Sequence, residues 1–464
     1  MPSTIHIRPS CAVITAAAIL ASCSALDRAA SVPAHYVSHL MCSAVFVGGL
    51  DPDMFYRQGV RPVIAAVGFM MDYRIDRDRK EVTADLAGRV TSRSVFLGAE
   101  GCRIAHEGIP PTAADDPPPA AKQAAKPLPV DPVNPALEAA LDREFAEPES
   151  SPHRWTKSVV ILHDGHIVAE RYAPGYGPET PQIGWSVTKS VTNALIGILV
   201  RQKKLAVDAP VPIAAWRDAK DPRHAITVDN LLRMNSGIEF GQSLFADWRS
   251  AFDPSTQMQF DMADQAAFAE TAELGAAPGT RWNYTNGNTM LLARMIRKTD
   301  AASPPTASVL RFAHRELFDK LGMEHATLEF DSVGTPIGSS HMWASARDWA
   351  RFGQLYLDDG VVDGERILPA GWVDYSARLT PGSETYGYGA GFWTNRGTIG
   401  GAARRIGLGM RSDSFMARGT QGQYIVIVPS ARLVVVRLGM AHDRYEDIDG
   451  VARLVADAIA AEAK

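Results

Sequence analysis

Residues 184–200 read Gly-Trp-Ser-Val-Thr-Lys-Ser-Val-Thr-Asn-Ala-Leu-Ile-Gly-Ile-Leu-Val, and they constrain the chain more than any other stretch. Val187, Val191, Ala194, Leu195 and Ile198 recur at helical spacing and predict a helix with a buried apolar face. Ser186 and Lys189 stand three residues apart on a different face, so their side chains point the same way. Ser186 falls at the predicted helix start, where unpaired N–H groups and the helix dipole favour negative charge. One turn of helix thus joins a serine that must lose a proton, a lysine able to take it, and an anion site. That combination suits nucleophilic catalysis. A capping serine beside a solvated lysine would leave the same spacing, so the rest of the chain has to decide.

Bulk composition excludes more than it identifies. A chain of 464 residues, 46% hydrophobic and 21% charged, can bury a large core and holds more than one structural unit. The net charge of −5 leaves no basic footprint, so neither nucleic acid nor an anionic lipid surface is an expected electrostatic partner. At the N-terminus, Arg8 precedes an apolar run, Ala12 to Leu20, too short to span a bilayer, followed by Leu20-Ala21-Ser22-Cys23. This resembles a bacterial lipoprotein signal in which Cys23 would carry lipid; an ordinary secretory signal cut near Ala25 also fits. Residues 1–25 are therefore expected to export the chain to the periplasm, with a membrane tether if Cys23 is lipidated. Beyond Cys11 and Cys23, Cys42 and Cys102 are compatible with one disulfide in an oxidising compartment, or with two separate buried thiols. No Cys or His cluster has ligand spacing, so neither a metal nor another cofactor is expected.

Four segments follow. Residues 26–108 form a small N-terminal unit with strands at Val90–Leu97 and Arg103–Ala105 and no visible chemistry; a brace, stapled by Cys42 and Cys102, is its expected role. Residues 109–135, rich in Pro and Ala, read as a linker. The main domain, 136–464, opens with a helix at Leu137–Phe145 and strands at Ser158–Leu162 and His166–Arg171, joined by a tight Asp164-Gly165 turn. Helices are expected at Val228–Met234, Thr289–Arg297, Ser308–Leu321 and Ala346–Leu357. The β signal returns at Tyr424–Val428 and Leu433–Leu438, before a final amphipathic helix at Ile448–Ala461. Strands at both ends with helices between predict an α+β fold: one antiparallel sheet built from both ends of the domain, flanked by helices, with a mostly helical insertion.

Two further motifs bear on chemistry. Tyr284-Thr285-Asn286 lies on a turn before a helix, where Tyr and Asn two residues apart can face one cleft. Tyr284 could relay a proton and Asn286 could orient the lysine or a substrate carbonyl. Further on, Arg418-Gly419-Thr420-Gln421-Gly422-Gln423 leads into a strand whose glycines admit a close backbone approach. The Gln423 and Ser186 amides are the expected oxyanion donors.

These motifs, in this order, resemble the penicillin-recognising serine hydrolases: class C β-lactamases, D,D-peptidases, family VIII carboxylesterases and 6-aminohexanoate-dimer hydrolases. The resemblance spans about 137–440 and is strongest to the last group through Glu170-Arg-Tyr-Ala-Pro-Gly-Tyr-Gly177, Trp185-Ser-Val-Thr-Lys-Ser190, Met234-Asn-Ser-Gly-Ile238 and Ala346-Arg-Asp-Trp-Ala-Arg-Phe-Gly353. It implies a β-lactamase/transpeptidase-like fold, Ser186 as acylated nucleophile, Lys189 as base, and Tyr284 as acid/base with Asn286 beside it. The family's third motif would fall on Thr420-Gln421-Gly422. β-Lactamases carry a cation at its first position to hold the substrate carboxylate, whereas Thr420 is neutral. Arg418 should share that face but lies roughly 7 Å away along the strand. Weak β-lactamase activity at most is therefore expected, and the implied substrate is a small-molecule ester or amide. A D,D-peptidase or β-lactamase, or a non-catalytic cell-wall binding protein on the same fold, are the competing readings.

Overall fold

The computed structural model describes residues 30–111, 126–132, 135–241, 251–299, 305–442 and 446–462. The predicted signal segment with Cys23 and most of the predicted linker lie outside the described residues. In the N-terminal unit a helix over 30–46 packs on a four-stranded antiparallel sheet in sequence order: β1 (Met71–Asp76), β2 (Glu81–Leu86), β3 (Val90–Phe96) and β4 (Cys102–Ile104). A disulfide joins Cys42 on the helix to Cys102 on β4, with Cα atoms 6.0 Å apart. β1 and β2 escape prediction because charged outward residues such as Arg74 and Glu81 interrupt the apolar run. The unit is not a body apart. Its core runs on into Ile183, Trp185, Phe260, Trp343 and Met440 of the main domain.

The main domain is built on one large sheet. β5 (Thr156–His163) and β6 (His166–Tyr172) form the predicted hairpin, with Asp164 and Gly165 at φ 48° and 82°, the left-handed pair that a two-residue turn requires. The end of the predicted linker adds a bridge from Val130 to Ile167. A small sheet, ordered β7-β9-β8, joins β7 (Gln182–Ile183), β8 (Thr327–Leu328) and β9 (Met342–Ala344), and β10 (Val361–Val362) and β11 (Glu365–Arg366) make a short hairpin. β12 (Trp393–Thr394), β13 (Phe415–Gly419), β14 (Gln423–Val428) and β15 (Leu433–Gly439) complete the six-stranded antiparallel sheet, ordered β12-β13-β14-β15-β5-β6. The main domain's first and last strands, β5 and β15, therefore pair within the sheet, as expected of a sheet built from both ends of the domain.

Helices Pro135–Phe145 and Ile448–Glu462 cover one face of this sheet around Leu141, Val426 and Val455. On the other face Ala346–Leu357 lies across β5, β14 and β15, with the Thr188–Arg201 helix behind it. The helical insertion, including Val228–Leu232, Pro254–Asp261, Gln265–Glu270 and Asn286–Thr299, packs beyond that layer. The predicted helix at Ser308–Leu321 is broken by a π-helical turn over His314–Phe318. The Ser186–Lys189 helix is buried on nearly all sides rather than on one face, which places it at the junction of sheet, insertion and N-terminal unit. Among the described residues no helix is long and apolar enough to cross a membrane.

Candidate active site

Ser186 sits in a 3-10 turn, Trp185–Val187, that feeds the helix beginning at Thr188. From Gln182 to Leu199 every residue but Ser186 is buried, so the turn opens to solvent at one hydroxyl. The turn is held against its own preference. Trp185 has φ 47°, a left-handed conformation that costs a bulky residue about 1–3 kcal/mol. It persists because both ends of the side chain are anchored: the indole N–H donates to Gln421 Oε1 at 3.0 Å, and the ring stacks on Tyr36 of the N-terminal unit.

Lys189 is 3% exposed, so it is not a solvated surface lysine. Its Nζ contacts Ser186 Oγ at 2.9 Å, Asn286 Oδ1 at 2.7 Å and the Ser339 carbonyl at 2.8 Å. Asn286 is oriented by its own Nδ2, which donates to Gln259 Oε1 at 3.1 Å. None of the three partners of Lys189 is charged, and burial lowers it from 10.5 to about 7. A neutral amine has two N–H donors and one lone pair. Asn286 Oδ1 and the Ser339 carbonyl can only accept, so they take both donors and leave the lone pair facing Ser186 Oγ. The amine is poised to receive a proton from that hydroxyl and from no other partner.

Tyr284 closes the third side. The Lys189 ammonium position lies 5.0 Å from the centre of its ring. Burial pushes the Tyr284 phenol up to about 12; a hydrogen bond with Ser186 and the charge of Arg418 pull against that rise, and Glu446 adds to it. At neutral pH Tyr284 is therefore protonated and can donate. Its ring packs against Tyr388 and Trp393, and nearby Trp282 stacks on the half-exposed Tyr386, giving the site an aromatic wall.

The strand edge departs from expectation. Gln423 lies on β14, one strand further in than the edge facing Ser186. Its side chain is spent on the carbonyl of Gly439 at 2.7 Å and on those of Thr420 and Gln421. The contact falls instead on Gly419, the last residue of β13. A Cβ there would stand 2.2 Å from the Gly184 carbonyl and 3.1 Å from Ser186 N, so only glycine lets the strand reach the turn. β12 covers β13 only at Phe415 and Met416, leaving the edge from Ala417 onward open beside Ser186. Gly422, at φ 82°, is a turn residue whose carbonyl accepts from the buried Arg437 at 2.9 Å; it faces the sheet and not the cleft. The assignments of Gln423 and Gly422 to the oxyanion edge are corrected accordingly. A hairpin motif read in sequence does not reveal which of its two strands meets the helix.

Thr420 is at the edge, and its hydroxyl donates to Glu446 Oε1. The same oxygen accepts from the Gln421 N–H at 3.1 Å, while Glu446 Oε2 pairs with Arg418 at 3.3 Å. Arg418, which the sequence offers as a partial substitute for the missing cation, is thus neutralised by the chain's own carboxylate. It is also held between the rings of Trp393 and Tyr424, each centred 5.6 Å from the guanidinium carbon. Glu446, Ser339 and Gln259 are absent from the sequence reading. Glu446 carries no motif signal, Ser339 acts through a backbone carbonyl, and Gln259 acts one step removed through Asn286.

Comparison with known proteins bears on the family and the fold. A family model described as Beta-lactamase matches residues 141–460. The chain is 25% identical over 235 residues to the 6-aminohexanoate-dimer hydrolase of Paenarthrobacter ureafaciens, an alignment covering 47% of this chain and 56% of that protein. It thus spans little more than half the length of that curated relative. Among solved structures it is similar to a Bacillus anthracis protein assigned as a 6-aminohexanoate-dimer hydrolase, with a TM-score of 0.56 and 22% identity over 74% of this chain and 89% of that one. It is also similar to a family VIII carboxylesterase, with a TM-score of 0.51 and 16% identity over 71% of this chain and 98% of that one. At such identities these two structures establish the fold alone.

Proposed function

This chain belongs to the beta-lactamase family and is a serine hydrolase, and from that premise we propose that it cleaves ester or linear amide bonds through an acyl-enzyme on Ser186. The observation that carries the reading is the lone pair of Lys189, left for Ser186 once Asn286 and Ser339 have taken the two N–H donors. Ser186 Oγ attacks the carbonyl carbon as its proton passes to Lys189. The Ser186 N–H and the open edge of β13 at Gly419–Thr420 hold the oxyanion. Tyr284 donates a proton to the leaving alcohol or amine and regains one from the Lys189 ammonium. Water then attacks the acyl-enzyme as Lys189, neutral again, takes its proton and returns it to Ser186 Oγ, which leaves as the free hydroxyl while the acid is released.

The Glu446 carboxylate supports substrates without a carboxylate at the strand edge, because it already takes the Thr420 hydroxyl and the Gln421 amide. That disfavours β-lactams and D-Ala-D-Ala peptides relative to neutral esters and amides. The Cys42–Cys102 disulfide supports an oxidising compartment, in keeping with the exported, periplasmic location read from residues 1–25. A fluorophosphonate probe followed by peptide mass spectrometry should label Ser186; modification of another residue with Ser186 untouched would refute the assignment. A panel of p-nitrophenyl esters, 6-aminohexanoate dimer, nitrocefin and a D-Ala-D-Ala peptide then ranks substrate classes. A neutral ester is expected first, and the linear dimer, whose carboxylate lies five methylenes from the scissile amide, ahead of the β-lactam and the D-Ala-D-Ala peptide.

A further inference from the structure

Behind Trp185, where the N-terminal unit meets the main domain, three potential ligands converge from distant parts of the chain. His39 comes from the 30–46 helix, Glu329 follows β8, and His341 immediately precedes β9. All three are at most 1% exposed, and one ligand atom from each lies within 4.8 Å of the others. Glu329 Oε2 and His341 Nε2 make no hydrogen bond, although both are buried. A carboxylate oxygen and an imidazole nitrogen buried together without a hydrogen bond are each costly to desolvate, and a shared ion would offset both costs. Their partner atoms, by contrast, are fixed. Glu329 Oε1 accepts from Ser43 Oγ at 2.6 Å and the Cys102 N–H at 2.8 Å, and His341 Nδ1 is 2.7 Å from Ser340 Oγ. Outer contacts of this kind, which orient one atom of a side chain and leave the other facing inward, are what metal-binding His and Glu residues require.

We propose that His39, Glu329 and His341 bind a structural divalent metal ion, with zinc the best match to the donor set. His39 Nε2 and Glu329 Oε2 are 3.3 Å apart, close to the spacing of two ligands on a tetrahedral ion with bonds of about 2.0–2.1 Å. The Cys102 carbonyl, 3.1 Å from His39 Nε2, is placed to be a fourth oxygen donor once that nitrogen turns to the ion. Two imidazoles and oxygen donors favour zinc over magnesium or calcium, which take oxygen alone. The imidazoles now stack at 4.7 Å and 18°, so binding must splay them. The ion would pin the disulfide-linked N-terminal helix to the segment that supplies the Ser339 carbonyl to Lys189. It lies behind the reaction centre and takes no part in the chemistry.

The test uses the full chain. After dialysis against dipicolinate, zinc is titrated back and followed by calorimetry and thermal unfolding, with metal content measured by plasma mass spectrometry on protein as purified. The expected result is about one zinc per chain and a rise in Tm of about 3–5 °C at a hundredfold excess over Kd. Cobalt should give visible d–d bands from a four-coordinate site. Glu329→Gln and His341→Gln should each abolish stoichiometric binding. Wild-type protein that takes up no zinc and shows no Tm shift overturns the proposal without any variant having to fold. Undiminished binding in folded Glu329→Gln and His341→Gln overturns it equally, by moving the metal elsewhere.

Discussion

Lys189 and the strand edge at Gly419–Thr420 face each other across Ser186 and are built on opposite principles. The lysine corner is dry, its partners are neutral, and its geometry is fixed by groups that can only accept hydrogen bonds. The strand edge is only partly exposed and carries two full charges, Arg418 and Glu446, that spend themselves on each other. The first arrangement sets reactivity, because removing water and counter-charge is what brings an amine to about 7. The second sets which substrate is admitted, because the charge a substrate meets at that edge is decided by the partly exposed Arg418–Glu446 pair and not by the reacting groups.

The comparison breaks first, and hardest, at Lys189. Lys189→Ala removes the base while leaving the oxyanion site, and kcat/KM on a p-nitrophenyl ester should fall by about 10²–10⁴-fold with Tm nearly unchanged. Near-normal turnover would mean that reactivity does not reside in this corner. Gly419→Ala attacks the other side through backbone geometry. Its methyl group would meet the Gly184 carbonyl, pushing the strand edge away from the oxyanion position. A loss of about 10²-fold in kcat with KM little altered is expected, the scale of one lost oxyanion donor.

How much of this was legible in the sequence follows the same division. The Ser186–Lys189 pair could be read because it needs only one turn of helix, and Tyr284–Asn286 because it needs only one turn of loop. The α+β sheet was legible because its inner strands, such as Tyr424–Val428 and Leu433–Leu438, are buried on both faces and read as unbroken apolar runs. What sequence spacing cannot carry is a partner chosen by the fold. The Ser339 carbonyl is anonymous because every residue has one. Glu446 reaches Thr420 from a stretch, Ala441-His-Asp-Arg-Tyr-Glu446, with no periodicity to mark it. His39 and His341 are some three hundred residues apart and stack only because the N-terminal unit shares its core with the main domain.

Asn286→Asp makes the corner resemble the edge by placing a charge where a neutral amide stands. A carboxylate in contact with Nζ favours the ammonium form and should raise the lysine by about one to two units. Since the base must be neutral, kcat/KM of the native enzyme should rise with pH through about 7 and be lost below it. In Asn286→Asp that limb should move to higher pH, with activity about fivefold to fiftyfold lower at pH 7 and recovering as pH rises. A pH–rate profile with an unmoved limb would remove Lys189 as the titrating group.

The smallest effect belongs to the edge itself. Glu446→Gln keeps an acceptor for the Thr420 hydroxyl and the Gln421 N–H but frees Arg418 of its counter-charge. The guanidinium keeps its contacts with the rings of Trp393 and Tyr424 but loses its carboxylate, and a substrate carboxylate can take the place of Glu446. Because the pair is partly solvated, the gain is that of a screened contact. The ratio of kcat/KM for nitrocefin to that for a p-nitrophenyl ester should rise by about threefold to tenfold. Added salt should shrink the gain, because it screens a partly exposed charge more than a fully buried one. A ratio that stays constant would mean that Glu446 does not govern the carboxylate, and that selectivity lies in the aromatic wall of Trp282, Tyr386 and Tyr388 instead.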